Sequence, residues 1–192
     1  MKTINSLIVV CSLILFISCK AQQQFPLNYS VITVPNNSQL KDTNNELDFY
    51  VGTWTANLQN KTIKLVVTKH LNFPFIFQNK TLYKDLLIVK YETIINGILI
   101  QQSTMLNNIY TYYDLFAIVS MGTENDGNIV NLRYNGTNCG VGAGTIDFTK
   151  ISNNQLNWKY TPYHTTVTEE CSPNADLNIY LPETDNLIFT KQ

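Results

Sequence analysis

Residues 61–69 read Lys61-Thr62-Ile63-Lys64-Leu65-Val66-Val67-Thr68-Lys69, and residues 156–161 read Leu156-Asn157-Trp158-Lys159-Tyr160-Thr161. In the first, Ile63, Leu65 and Val67 oppose Thr62, Lys64, Val66 and Thr68. In the second, Leu156, Trp158 and Tyr160 oppose Asn157, Lys159 and Thr161. A period of two marks a strand with one buried and one wet face, because successive Cβ atoms point to opposite sides. The alternation recurs in pieces at about 50–58, 82–95, 98–106, 112–121, 128–135 and 143–151, with shorter ones near 177–181 and 187–191. Before the first of them, Asn44 or Asn45 caps one short helical turn through Glu46-Leu47-Asp48-Phe49, and no longer helical period follows. The fold class is therefore all-β. By parity Trp54, Ala56, Leu58, Val130, Leu132, Tyr134, Ile146 and Phe148 point inward. Strand 82–95 is less regular, since the face carrying Leu87, Val89 and Tyr91 also carries Asp85.

Taken as an antiparallel up-and-down meander of about 8–10 strands, the chain closes into a barrel, with a β-sandwich as the alternative. Odd-numbered connections, at Gln59-Asn60, Asn96-Gly97, Glu124 to Gly127 and Asn153-Asn154, are short and rich in residues that accept positive φ. Even-numbered ones, at 70–81, 107–111, 136–142 and from 162 to 176, are longer. One end of the barrel is expected to be trimmed and the other elaborated.

The chain has 192 residues, 13 Lys+Arg against 14 Asp+Glu, 14% charged and 11% aromatic residues. A formal net charge of −1 offers no field for counterion release, so nucleic acid is not expected as a partner. Two His and four Cys are too few for a scattered multi-ligand metal centre, and no metal or other cofactor is expected.

Lys2 followed by the apolar run Leu7 to Ile17 has the layout of an export signal, well short of the ~20 residues of a spanning helix. Its end, Phe16-Ile17-Ser18-Cys19, resembles the bacterial lipobox, which implies a signal peptide over 1–18 and a lipid on Cys19. Residues 19–41, polar and carrying Pro26 and Pro35, read as a lipidated flexible tether, with Tyr29 to Val34 as a candidate edge strand. Residues 42–192 form the single β domain. Cys11 leaves with the signal, so Cys139 and Cys171 remain as an even pair for a disulfide in an oxidising compartment. Closing a loop of about 33 residues contributes roughly 3 to 4 kcal/mol. The competing reading makes Cys171 a nucleophile with His164 as base and Glu169 or Glu170 as orienter.

Tyr50-Val51-Gly52-Thr53-Trp54, at the head of a meander, resembles the Gly-x-Trp signature that opens the first strand of lipocalins, which implies a barrel plugged at one end by Trp54. Two features depart from that family: the first hairpin, Gln59-Asn60, is tight, and the late-strand arginine that packs on the tryptophan has no counterpart, Arg133 being the only arginine. The whole chain, with Ser18-Cys19-Lys20-Ala21-Gln22, Gly136-Thr137-Asn138-Cys139-Gly140-Val141-Gly142 and Leu187-Ile188-Phe189-Thr190-Lys191-Gln192, is similar to small flavobacterial (Bacteroidota) lipoproteins of unknown function. That resemblance implies a lipid-anchored envelope protein, at the periplasmic face of the outer membrane.

Phe73, Phe75 and Phe77 alternate around Pro74 in the longest connection; they either cap the barrel floor or offer an apolar patch to a partner. Gly136, Gly140, Gly142 and Gly144 read as a turn beside the disulfide, because no helix or Lys-Ser/Thr pair follows them as in a phosphate loop. Adjacent Glu169 and Glu170 point oppositely on an extended segment, His70 and His164 lack a third ligand, and the Asn-x-Thr triplets at Asn60, Asn79 and Asn135 read as composition. No catalytic set converges. The expected function is a non-enzymatic binding or interaction module, with Trp54, Phe73, Phe75 and Phe77 as candidate contacts for a ligand or envelope protein. A lipocalin-like carrier of a small apolar ligand, with a cavity of at least ~300 Å³ beside Trp54, is the alternative, and a hydrolase the third reading.

Overall fold

The computed structural model describes residues 22–103, 117–165, 167, 169 and 171–192. The leader, Cys19, Glu170 and the parts of the expected strands that fall within 104–116 lie outside these residues. The strands are β1 (Gln24–Pro26), β2 (Gln39–Lys41), β3 (Gly52–Leu58), β4 (Lys61–Phe77), β5 (Lys80–Ile95), β6 (Ile98–Gln102), β7 (Ile118–Glu124), β8 (Ile129–Tyr134), β9 (Gly144–Ser152), β10 (Gln155–Pro162) and β11 (Leu187–Lys191). Eight of them close an antiparallel barrel in the order β5-β4-β3-β11-β10-β9-β8-β7, with β7 returning to β5 at Ile88 and Val89. The last strand, β11, pairs with the first strand of the barrel, β3, through Thr190–Thr55 and Lys191–Trp54. No strand forms over 177–181, and Tyr29 to Val34 are turns.

The free edge of β5 changes partner along its length. It takes β2, in parallel, at Tyr83 and Lys84, β7 at Ile88 and Val89, and β6 at Glu92 to Ile95. Both β6 and β7 run antiparallel to β5, so they occupy one barrel position in line instead of standing side by side as two strands of a meander. Every connection after β7 therefore moves to the other end relative to the expected parity. Turns 59–60 and 96–97 share an end with loops 135–143 and 163–186, while hairpin 78–79 lies at the opposite end with turns 125–128 and 153–154. Cys139 and Cys171 follow the displaced register together and still meet, in a disulfide with Cα atoms 5.7 Å apart. Residues 70–81 do not join them. They are no connection either: β4 continues through a bulge at Leu71-Asn72 to Phe77, and Gln78-Asn79, with φ 45° and 65°, make a two-residue hairpin.

The inward residues named from parity are buried, except Leu58 at the strand end, which is 38% exposed. Trp54, Trp158, Tyr134, Tyr160, Phe148 and Phe189 fill the interior. Tyr134 sets its ring edge-on to Tyr91 and Tyr160, at centroid distances of 5.9 and 6.1 Å. One end is closed by a single 3₁₀ turn, Asp48–Tyr50. Its side-chain support comes not from Asn44 or Asn45 but from Asp42, whose carboxylate accepts the amides of Glu46 (2.7 Å) and Leu47 (3.1 Å) and pairs with Lys69 at 2.7 Å. Tyr50 Oη donates to the carbonyls of Gly127 and Asn128, tying the turn to the β7–β8 connection. Trp54 Nε1 donates to Tyr50 O at 2.7 Å, and Lys191 Nζ lies 5.1 Å from the Trp54 ring while donating to Phe49 O. The last strand thus supplies a cation to the tryptophan, as a lysine. At the far end, loop 163–186 is held by Trp158 Nε1 to Pro182 O (3.1 Å), Lys61 Nζ to Tyr180 O and the buried Leu181.

The stretch read as a tether is folded from Gln22 onward. Leu27, Val34 and Leu40 enter the main core, and β1 and β2 extend the sheet from β5. The irregular Asp85 explains the attachment. Buried on the inner side of β5, it accepts hydrogen bonds from the amides of Asp42 (3.0 Å) and Asn72 (2.8 Å), linking the N-terminal strap to the bulge in β4.

Candidate functional site

β5 pairs with β2 at residues 83–84 and with β7 at 88–89, with Leu87 N donating to Ser120 Oγ at 2.8 Å between them, and beside Lys84 a cleft of about 70 Å³ lies on the outside of the barrel. Phe75 and Phe77 of β4, Val31 and Ile76 line its apolar side, and Lys84, Met121 and Arg133 the polar one. β5 explains why a lysine reaches it. After Lys84-Asp85 the strand reads Leu86-Leu87-Ile88-Val89, all buried, so both its faces are covered, and neither of the two charges can reach water by alternation alone.

Lys84 is 2% exposed. Its ammonium donates to the main-chain carbonyl of Met121, which the register shift between Ser120 and Gly122 releases from the β7–β8 ladder. No carboxylate of the described residues pairs with it: Asp85, next in sequence, points to the strap, and the salt bridges involve Lys64, Lys69 and Lys159. Burial pulls the Lys84 pKa down from 10.5 to about 8. At neutral pH the cleft therefore holds a charge whose hydrogen-bond acceptor among the described residues is a neutral carbonyl. Arg133, on the outer face of β8, lines the same cleft and sets its Nε 3.0 Å from Asn135 Oδ1.

Two of the four residues named from sequence, Phe75 and Phe77, meet in this cleft. Phe75 is buried and Phe77 half-buried, so they form a wall of the cleft and not an exposed patch. Phe73 sits across from Lys84 in the β4–β5 pair and packs on a separate cluster of Leu86, Ile88, Ala117 and Val119. Trp54 is fully buried beneath Phe49 and Lys191 and lines none of the clefts described. Lys84 was not singled out from sequence, although a Lys-Asp pair leading into four apolar residues was a visible sign of two-sided burial.

The other candidates separate. Cys171 is bonded to Cys139, so its sulfur is no thiolate; Glu169 and His164 are exposed, and Glu170 lies outside the described residues. His70, on β4, bonds Thr68 Oγ1 at 3.0 Å, while His164 is at the other end of the barrel, so the two share no site. Burial first, and then Lys90, lower the His70 pKa. In the glycine-rich loop the amides of Gly140, Val141 and Ala143 are spent on Thr137, Asn138 and Gly140 carbonyls, leaving no cradle for phosphate. Gly136 is required there: its φ is +78°, and a Cβ would stand 2.5 Å from Gly140 O. Larger hollows lie at Lys64, Lys90 and Glu92 (about 230 Å³), at Gln22, Asn37, Asn72 and Tyr83 (about 400 Å³) and at Tyr160 to Asp185 (about 340 Å³). Each is shallower than the Lys84 cleft, and none encloses a buried charge.

A family model described as a family of unknown function (DUF6705) matches residues 1–192, and the chain belongs to that family. No curated protein and no solved structure matches it.

Proposed function

We propose that this protein is a non-enzymatic binding module, exported and held in the cell envelope by a lipid on Cys19, and that it takes up a small amphipathic anion in the Lys84 cleft. The observation that carries the reading is the buried Lys84 ammonium without an acidic partner among the described residues, set against an aromatic wall. A desolvated cation that among the described residues faces a carbonyl and no carboxylate is costly to keep in a fold, and an incoming carboxylate or phosphate oxygen would supply a charge-assisted bond. At about 70 Å³ the cleft has room for a head group, with Phe75 and Phe77 flanking the start of a chain that runs out of it. The filled barrel interior speaks against a lipocalin-like ligand beside Trp54, and the ligand is placed on the outer wall instead.

Calorimetric titration of the purified protein with octanoate, octyl phosphate and octanol tests this. The two anions are expected to bind and the neutral alcohol not. Lys84→Met should weaken the anions roughly 10- to 100-fold, the worth of one hydrogen bond to a charged group. Whichever anion binds more tightly identifies the head group. Equal binding of octanol, or full affinity in Lys84→Met, would refute the assignment.

A further inference from the structure

Because the strap is folded from Gln22, only Lys20 and Ala21 separate it from Cys19. Three residue steps reach at most about 11 Å. If Cys19 carries the lipid, the barrel cannot ride on a long leash above the bilayer; the surface around Gln22 must lie against it. That surface has an unusual make-up. Gln22 lines a hollow with Asn37, Asn72 and Tyr83. Leu71, next to Asn72, is 68% exposed, and Ile76, across from Thr81, is also 68% exposed. Thr81 is bonded through its carbonyl to Asn37 N and through its amide to Asn36 Oδ1, which keeps Ile76 beside the strap. Ile32, 63% exposed, is fixed by Lys80 Nζ to its carbonyl at 2.8 Å, and Tyr29, 51% exposed, packs on Phe25 at 5.2 Å between centroids.

Charge agrees. Residues 22–41 and 71–84 contain no Asp or Glu, in a chain that is net acidic, and Lys41 and Lys80 are partly exposed on this surface while Lys84 is buried in the cleft. Apolar side chains with an aromatic hydroxyl and lysines at the rim, free of carboxylates, suit the boundary between acyl chains and anionic head groups.

We propose that this face, made by the strap and the tip of the β4–β5 ribbon, is a membrane-seating surface, with Leu71, Ile76, Ile32 and Tyr29 entering the head-group region of the bilayer to which Cys19 is anchored. The proposal rests on the lipid anchor but not on the ligand of the Lys84 cleft. Seating would fix the barrel's orientation: hairpin 78–79 faces the membrane, and the disulfide-linked loops 135–143 and 163–186 face away. It would also hold the cleft wall formed by Phe75 and Phe77 close to the lipid surface.

The test uses the full-length chain in vesicles of phosphatidylethanolamine and phosphatidylglycerol (3:1) in which part of the acyl chains are brominated. Native Trp54 and Trp158 are fully buried and give a constant background. Ile76→Trp and, as an independent probe, Leu71→Trp should lose at least half of their added emission to bromine. Ile98→Trp, 65% exposed in the wild type at the opposite end, should lose none. Intact mass of the same samples reports the diacylglyceryl group. A lipidated protein in which Ile76→Trp and Leu71→Trp behave like Ile98→Trp would overturn the seating face and leave the anchor standing. A Cys19 without lipid would overturn both.

Discussion

Replacing Lys84 by methionine removes the ammonium while keeping most of the side-chain volume, and the structure sets the size and sign of the result. Lowering the pKa from 10.5 to about 8 corresponds to about 3 kcal/mol of destabilisation by the charged form, at 1.36 kcal/mol per tenfold change in proton affinity. The bond to Met121 O returns about 1 kcal/mol. The ligand-free Lys84→Met protein is therefore expected to be more stable than wild type by about 2 kcal/mol at pH 7. Below pH 8 the lysine is charged both folded and unfolded, and the penalty is complete. Between pH 8 and 10.5 the folded protein gives up the proton that the unfolded chain retains, so wild-type stability rises with pH relative to the variant. Most of the gap should close by pH 10. Urea unfolding of both proteins at pH 7 and pH 10, with the disulfide intact, measures it. A variant less stable than wild type at pH 7, or a gap indifferent to pH, would show that Lys84 is a satisfied structural residue and remove the physical ground for a ligand there. With an anion at 100 times its wild-type dissociation constant, wild type should gain about 2.7 kcal/mol and Lys84→Met, with its roughly 10- to 100-fold weaker binding, only about 0.4 to 1.4 kcal/mol.

Further tests address the frame that holds the cleft. Reducing Cys139–Cys171, 32 residues apart in sequence, should cost roughly 3 to 4 kcal/mol in urea unfolding, and change anion binding little, because neither cysteine lines the Lys84 cleft. Tyr50→Phe leaves the Gly127 and Asn128 carbonyls without their hydroxyl donor and should cost about 1 to 2 kcal/mol, read the same way. Asp85→Ala removes the acceptor shared by Asp42 and Asn72. Amide exchange of residues 22–42 should then accelerate well before that of β8 to β10; uniform acceleration would refute the view of the strap as a separately attached unit.

The alternation that revealed β3, β4, β8, β9 and β10 follows from a sheet with one dry face, where sequence and burial share a period of two. β5 was legible as a strand over 82–95 but not in its facing, because strap, cluster and cleft cover its outer face as well, which is how Lys84 went unnoticed while Asp85 stood out only as an irregularity. The assignment of ends failed at a single point. Alternation along 98–106 and 112–121 says that each is a strand but not which edge each takes, and two segments sharing one edge of β5 count as one in the parity of a barrel. Cys139 and Cys171 survived the error because both follow it; Phe73 to Phe77 precede it and went to the wrong end. Pro74 and the flanking aromatics read as a loop, since proline lacks a ladder donor; next to the bulge at Leu71-Asn72 it is tolerated within a strand. The polar strap at 22–41 has too few apolar residues to show a period, yet Leu27, Val34 and Leu40 suffice to anchor it.

Native mass spectrometry of full-length wild type and Lys84→Met, purified side by side from their own membranes and followed by organic extraction, tests the binding role most directly. The wild type should carry one small acid per chain, released on extraction and missing from Lys84→Met. Bare masses for both proteins, or the same adduct on both, would contradict a ligand held by Lys84.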